Sequence, residues 1–189
     1  MNTTHDNLEK TVMNKGWIKP ILLLTSGSVI VALIVIYSGT INVAANYPDH
    51  AFTRWLLHTT MEQSVKAHAS DITVPELNQP DKILNGFRHY REMCTGCHLA
   101  PGITSSEIRQ GLMPQPPVLQ KTVNNWSPAE LFWIIKNGVR MTAMPAWGST
   151  HNDEKIWEMV AFLKQLPAMT EEQYHTLDQK AGKDDGDDD

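Results

Sequence analysis

The chain has 189 residues, a formal net charge of −5 at pH 7, 41% hydrophobic residues and only two cysteines. That length holds one modest domain with flanking segments, and two cysteines exclude a disulfide framework. With no run of basic residues and a negative balance, nothing points to nucleic-acid binding.

Lys10, Lys15 and Lys19 lie in the first 19 residues, and no charged side chain follows until Asp49. Residues 21–41 are mainly Leu, Ile and Val. As a helix they are long enough to cross a hydrocarbon core of about 30 Å. Trp17 and Tyr37 stand near the two ends, where interfacial aromatics belong, and the first positive residue beyond is Arg54. The expectation is a cytoplasmic segment 1–19, a membrane anchor over 20–42 and export of the remainder. A cleaved signal peptide is the competing reading, because Val43-Ala44-Ala45 would serve as a cleavage site. The apolar run exceeds the 7 to 15 residues typical of signal h-regions, roughly stated, which favours an uncleaved anchor.

Residues 43–80 read as a linker. Within it 51–69 has amphipathic character, with Phe52, Trp55, Leu56 and Val65 assigned to one side. Such a helix can act as a spacer, lie on lipid, pack on the next domain or meet a partner. Pro75 and Pro80 end the pattern.

Residues 81–93 have helical spacing, with Ile83, Leu84, Phe87 and Tyr90 as the apolar positions. Both cysteines follow at once in Cys94-Thr95-Gly96-Cys97-His98. C-x-x-C-H lets two thiols add across the vinyl groups of one haem while the adjacent imidazole meets the iron. A thioredoxin-like dithiol would need a preceding strand, and none is predicted. A zinc site would need a second ligand pair, which neither further cysteines nor the scattered histidines supply. A disulfide across two residues would crosslink almost nothing.

Residues 99–126 are loop-like and rich in Pro and Gly, and are expected to wrap the haem edge. Ser127-Pro128-Ala129-Glu130 is a capping box that opens a helix, and Gly138 can end it. Met141-Thr142-Ala143-Met144-Pro145 then forms a punctuated loop. A thioether opposite an imidazole stabilises ferrous iron. Met144 is the preferred donor because Pro145 holds it extended, and Met141 is the fallback. A last helix starts after the N-cap Asn152 and runs to about Leu166, with Ile156, Met159, Val160 and Leu163 as its buried face. Residues 167–189 end in Asp184, Asp185, Asp187, Asp188 and Asp189, and are expected to be an acidic disordered tail.

CTGCH, NGVRMTAMPAWG and the terminal KIWEMVAFLKQL together resemble the bacterial single-haem class I cytochromes c over roughly residues 81–166. The resemblance implies an all-α fold, three main helices around a covalent haem c, here preceded by one transmembrane helix. It implies Cys94 and Cys97 as tethers and His98 and Met144 as the iron ligands. A proline carbonyl in Pro117-Val118-Leu119 would hold the ligand histidine, with Pro101 as the other proline able to do so. Gly86 and Tyr90 would pack against the terminal helix near Met159 and Phe162. The haem domain would then face the periplasm from the bacterial cytoplasmic membrane.

Residues 81–166 contain nine Lys and Arg against seven Asp and Glu, a net charge of +2. Arg109, Lys121, Lys136 and Arg140 are the candidates for a mildly basic rim that steers acidic redox partners. The resulting expectation is a membrane-anchored one-electron carrier of a respiratory chain, not an enzyme. Its partners would be donor and acceptor proteins and membrane lipid. The alternatives are a haem subunit of a larger oxidoreductase complex, or a catalyst or gas sensor with a displaceable methionine and with His89 or His151 near the iron.

Overall fold

The structure is a computed structural model that describes residues 17–184; most of the expected cytoplasmic segment 1–19 and the aspartates of 185–189 lie outside the described residues. The chain divides into two compact units, Met1–Tyr47 and Pro48–Asp189. Among the described residues every regular element is helical, as an all-α fold requires, with one isolated bridge between Ala100 and Ile103.

In the first unit α1 spans Ile18–Tyr37. Its 20 residues reach about 30 Å at 1.5 Å per residue. Two of its polar side chains bond back into the helix: Thr25 Oγ1 donates to Leu22 O at 3.0 Å and Ser28 Oγ to Leu24 O at 2.8 Å. Hydroxyls paired within their own helix leave no polar demand on apolar surroundings.

The second unit contains α2 (Ala51–Ala69), α3 (Pro80–Met93), α4 (Thr95–His98), α5 (Glu107–Gln110), α6 (Leu119–Thr122), α7 (Pro128–Asn137), α8 (Asp153–Gln165) and α9 (Glu171–Asp184). Its centre is the crossing of α3 over α8. A Cβ on Gly86 would overlap the Glu158 carbonyl, so only glycine lets the two backbones meet there. Around that contact Tyr90 and Phe162 rings lie 5.1 Å apart, and Phe87 meets Phe162 edge-on at 5.4 Å. Ile156, Met159, Val160 and Leu163 are buried on α8, and Leu131, Phe132 and Ile135 on α7 close the core beside them.

The caps explain where the helices begin. Ser127 Oγ accepts from Glu130 N at 3.3 Å, Glu130 Oε2 accepts from Ser127 N at 2.7 Å, and Asn152 Oδ1 accepts from Lys155 N at 3.0 Å. Each satisfies an otherwise orphaned first-turn N–H.

Three expectations are corrected. The segment after 166 is not tail throughout: α9 packs on α3, with Tyr174 and Ala181 buried and Leu177 against the core. A second capping box starts it, Thr170 Oγ1 accepting from Gln173 N at 3.2 Å and Gln173 Oε1 from Thr170 N at 2.9 Å. Helix 51–69 forms, but Val65 does not share a face with Phe52, Trp55 and Leu56: Val65 and Ala69 are buried while those three are exposed. Residues 99–126 are not all loop, since α5 and α6 each make one helical turn within them.

Candidate functional site

The site grows from the end of α3. Helical bonds continue through it, with Cys94 N donating to Tyr90 O at 2.9 Å and His98 N to Cys94 O at 2.8 Å. One turn therefore carries Cys94, Cys97 and His98, and both thiols are free and half-buried. Burial, with Cys97 adding to it, pushes the Cys94 thiol up to about 12. Redox-active C-x-x-C dithiols need a lowered thiol pKa, so this environment opposes that chemistry.

Leu99 ends the turn at φ +62°, ψ −177°, a backbone region that non-glycine residues occupy at a cost of about 1–3 kcal/mol. Two contacts hold it there: the Leu99 side chain is buried, and the Tyr90 hydroxyl donates to its carbonyl. The core helix α3 thus fixes the chain reversal directly after His98.

His98 Nδ1 lies 2.8 Å from Pro117 O. A carbonyl can only accept, so Nδ1 carries the proton and Nε2 keeps its lone pair. Burial lowers the His98 pKa; the Pro117 bond works against this and Arg109 adds to the lowering. The imidazole is thereby held neutral, the form that binds metal.

The Pro117 carbonyl is itself positioned. Ser106 Oγ donates to Gly96 O and accepts from Arg109 N, which ties α5 to the CTGCH turn. From α5 the Arg109 Nε donates to Pro116 O at 3.2 Å. Arg109 therefore braces the Pro116–Pro117 backbone while keeping its positive charge near His98. Lys136 is paired, since its Nζ lies 2.6 Å from Asp153 Oδ1 and over the Phe132 ring. Lys121 and Arg140 remain exposed.

The methionine loop hangs on the end of α7. Val139 N donates to Met144 O at 3.2 Å, and Met144 N to Thr142 Oγ1 at 3.1 Å. Gly138, at φ +66°, meets the Met144–Ala146 backbone so closely that a Cβ would come within 2.8 Å of three of its atoms. A Cβ on Gly148 would come within 2.8 Å of Lys136 O. These two glycines clamp the loop to α7. Sequence reading assigned Gly138 only a helix end and missed Gly148. Met144 packs partly buried against the core, whereas Met141 is 89% exposed.

Residues around these groups suit a large apolar ligand. Ile108, on α5 beside the CTGCH turn, exposes 62% of its surface and Met113, shortly after α5, 45%; a porphyrin on that turn would cover apolar area of this kind. Two open clefts, of about 390 and 380 Å³, lie elsewhere and include none of Cys94, Cys97, His98 or Met144. Among the described residues no cluster of three or more His, Cys, Asp and Glu exists to suggest another metal centre. His89 and His151, the candidates for a distal pair, face each other at 5.3 Å between ring centroids.

Residues 81–163 match a family model described as cytochrome c oxidase, cbb3-type, subunit III. No match is found among the curated proteins. The match covers α3 to α8 and every group described above from Cys94 to Met144. That segment is thus similar to the single-haem domain of a c-type cytochrome, a likeness that points to haem-based electron transfer.

Proposed function

We propose that this chain is a membrane-anchored one-electron carrier of a respiratory chain, with one covalent haem c on the periplasmic side of the bacterial cytoplasmic membrane. The hydrogen bond from His98 Nδ1 to Pro117 O carries the reading, because it leaves Nε2 unprotonated and able to bind a metal on the turn that bears both thiols. Cys94 and Cys97 would form the thioethers, and His98 and Met144 the two iron ligands. The group supplies reversible one-electron chemistry when bound. The protein's part is to keep His98 neutral and to hold Met144 through the Gly138 and Gly148 contacts. Two protein ligands leave no position for a substrate, so donors and acceptors would meet a partly exposed haem edge.

The apolar α1, preceded by lysines and followed by no positive residue until Arg54, supports the anchor and its orientation. A dehydrogenase or quinol-oxidising complex would donate, and an oxidase or reductase would accept.

A second reading is favoured by the matched family, described as an oxidase subunit: the chain is a haem subunit of a larger oxidoreductase complex. Mild detergent extraction followed by native electrophoresis separates the two. Migration as a small species supports the carrier, and co-migration with a large complex supports the subunit.

Absorption spectra of the matured protein test the ligand set. The near-infrared sulfur-to-ferric-iron band is expected in wild type, lost in Met144→Ala and kept in Met141→Ala. Survival of the band in Met144→Ala would overturn the assignment.

A further inference from the structure

α2 has two apolar faces that point in different directions. Val65 and Ala69, near its C-terminal end, are buried within the unit and pack the helix against α7. Phe52, Trp55 and Leu56, near its start, are 68%, 59% and 45% exposed. Their i, i+3, i+4 spacing places them on one face, and the Phe52 and Trp55 rings lie 5.8 Å apart. Val65 comes 13 residues after Phe52, so at 100° per residue it points about 140° around the helix from it. The exposed face is thus not a loosened domain contact. It is a separate surface of two aromatic rings and a leucine.

The chain itself limits what can cover it. Only residues 38–50 connect the end of α1 to the start of α2. Fully extended, those 13 residues reach about 45 Å at ~3.4 Å each, and a flexible connection of that length averages about 20 Å. A bilayer crossed by α1 is therefore always within reach of α2, at a high effective concentration, whereas a soluble partner must be recruited. The chemistry agrees. Trp, Phe and Leu together are the side chains with which interfacial helices enter the headgroup and acyl boundary. Between Asp49 and Glu62 the only Lys or Arg is Arg54, so electrostatic attraction to anionic lipid is not what the helix offers.

We propose that the Phe52, Trp55 and Leu56 face of α2 inserts into the headgroup region of the membrane that α1 crosses, giving the domain a second, apolar attachment. This rests on the anchor reading of α1. Insertion would restrain the domain where the 38–50 connection alone would leave it free. It would be insensitive to salt and to lipid charge.

The test uses the full chain, matured with haem, reduced so that the iron is diamagnetic, in phosphatidylcholine nanodiscs at one copy per disc. Nitroxide labels at Val29→Cys, Arg54→Cys and Leu56→Cys are compared by power saturation with oxygen, which favours lipid, and a nickel chelate, which favours water. Val29 lies mid-span and is exposed on α1, and Arg54 is exposed on the opposite side of α2 from Leu56. The expected oxygen-to-nickel ratio is several-fold higher at 56 than at 54, in low and high salt alike, and highest at 29. Equal ratios at 54 and 56 with a lipid-like value at 29 would leave the anchor standing and overturn the inserted face. A label at 56 shielded from both reagents would overturn it too, in favour of protein cover. A water-like value at 29 would remove the anchor reading and this inference with it.

Discussion

Gly138→Ala puts one methyl group between the end of α7 and the loop that carries Met144. The glycine stands at φ +66°, ψ −172°, where residues with side chains pay about 1–3 kcal/mol. The new Cβ would lie 2.7 Å from Met144 O, 2.7 Å from Pro145 C and 2.8 Å from Ala146 N. All three are backbone atoms, so no flexible side-chain end can swing aside, and the loop must retreat to reach ordinary contact. Overpacking of that kind costs about 1–3 kcal/mol. Because backbone relaxation relieves both effects together, the expected loss is about 2–4 kcal/mol rather than their full sum. Gly111→Ala is the control: its nearest neighbours would stand at 3.7 and 3.8 Å and its φ is −83°, so a change within about 0.5 kcal/mol is expected. Urea unfolding of the matured protein, followed by far-ultraviolet circular dichroism, measures both. The near-infrared sulfur-to-iron band should weaken in Gly138→Ala alone. Wild-type stability together with an unchanged band in that variant would refute the claim that this contact positions Met144.

Tyr90→Phe removes the donor to Leu99 O and leaves a carbonyl beside a buried residue unpaired, with an expected cost of about 1–3 kcal/mol by urea unfolding; a loss under 0.5 would show that packing alone holds the reversal after His98. Tyr174→Ala deletes a ring that is 5% exposed and 5.1 Å from Phe87, and should cost about 3 kcal/mol. If residues beyond 166 were a solvated tail, the same change would be neutral. His89 supplies a pH dependence: burial above all, then His151, lowers its pKa, with Lys155 acting the same way and Glu158 and Glu92 opposing. A depressed folded-state pKa means the unfolded chain binds the extra proton first. The contribution of neutral His89 is therefore present above the ordinary imidazole value of 6.5 and lost as pH falls from there toward its folded pKa. The stability difference between wild type and His89→Gln should shift against wild type across that window, as unfolding at several pH values would show; a difference constant with pH would contradict it.

What could be read from the sequence was whatever local chemistry decides. The capping box at Ser127 and the N-cap at Asn152 need only a few neighbouring residues, so both helix starts were visible. The same local chemistry stands at Thr170-Glu171-Glu172-Gln173, but the aspartates further on give the whole segment the composition of a tail. Tyr174, Leu177 and Ala181 recur at helical spacing, but in so polar a stretch three positions make a thin stripe. Their burial depends on α3 having room for them, which no local pattern states. α2 failed in another way. Grouping Val65 with Phe52, Trp55 and Leu56 merged two stripes about 140° apart, which counting residues at 100° each would have separated.

The candidate site divides along the same line. Cys94, Cys97 and His98 are adjacent, so their joint chemistry follows from spacing alone. The bond from His98 to Pro117 crosses 19 residues and came into view only through the resemblance to a family. Gly138 and Gly148 show what lies beyond both routes. Each is a glycine because another backbone passes where a Cβ would be, Met144–Ala146 in one case and Lys136 in the other. Nothing near either glycine in the sequence names that neighbour. These two contacts, with Val139 N on Met144 O, tie the backbone of the methionine loop to the end of α7, while Met144 and Trp147 pack against the core. Where backbone meets backbone so closely, there is no slack to absorb a methyl group. For that reason the hold on Met144 should be more sensitive to Gly138 than to any exposed residue of the loop itself.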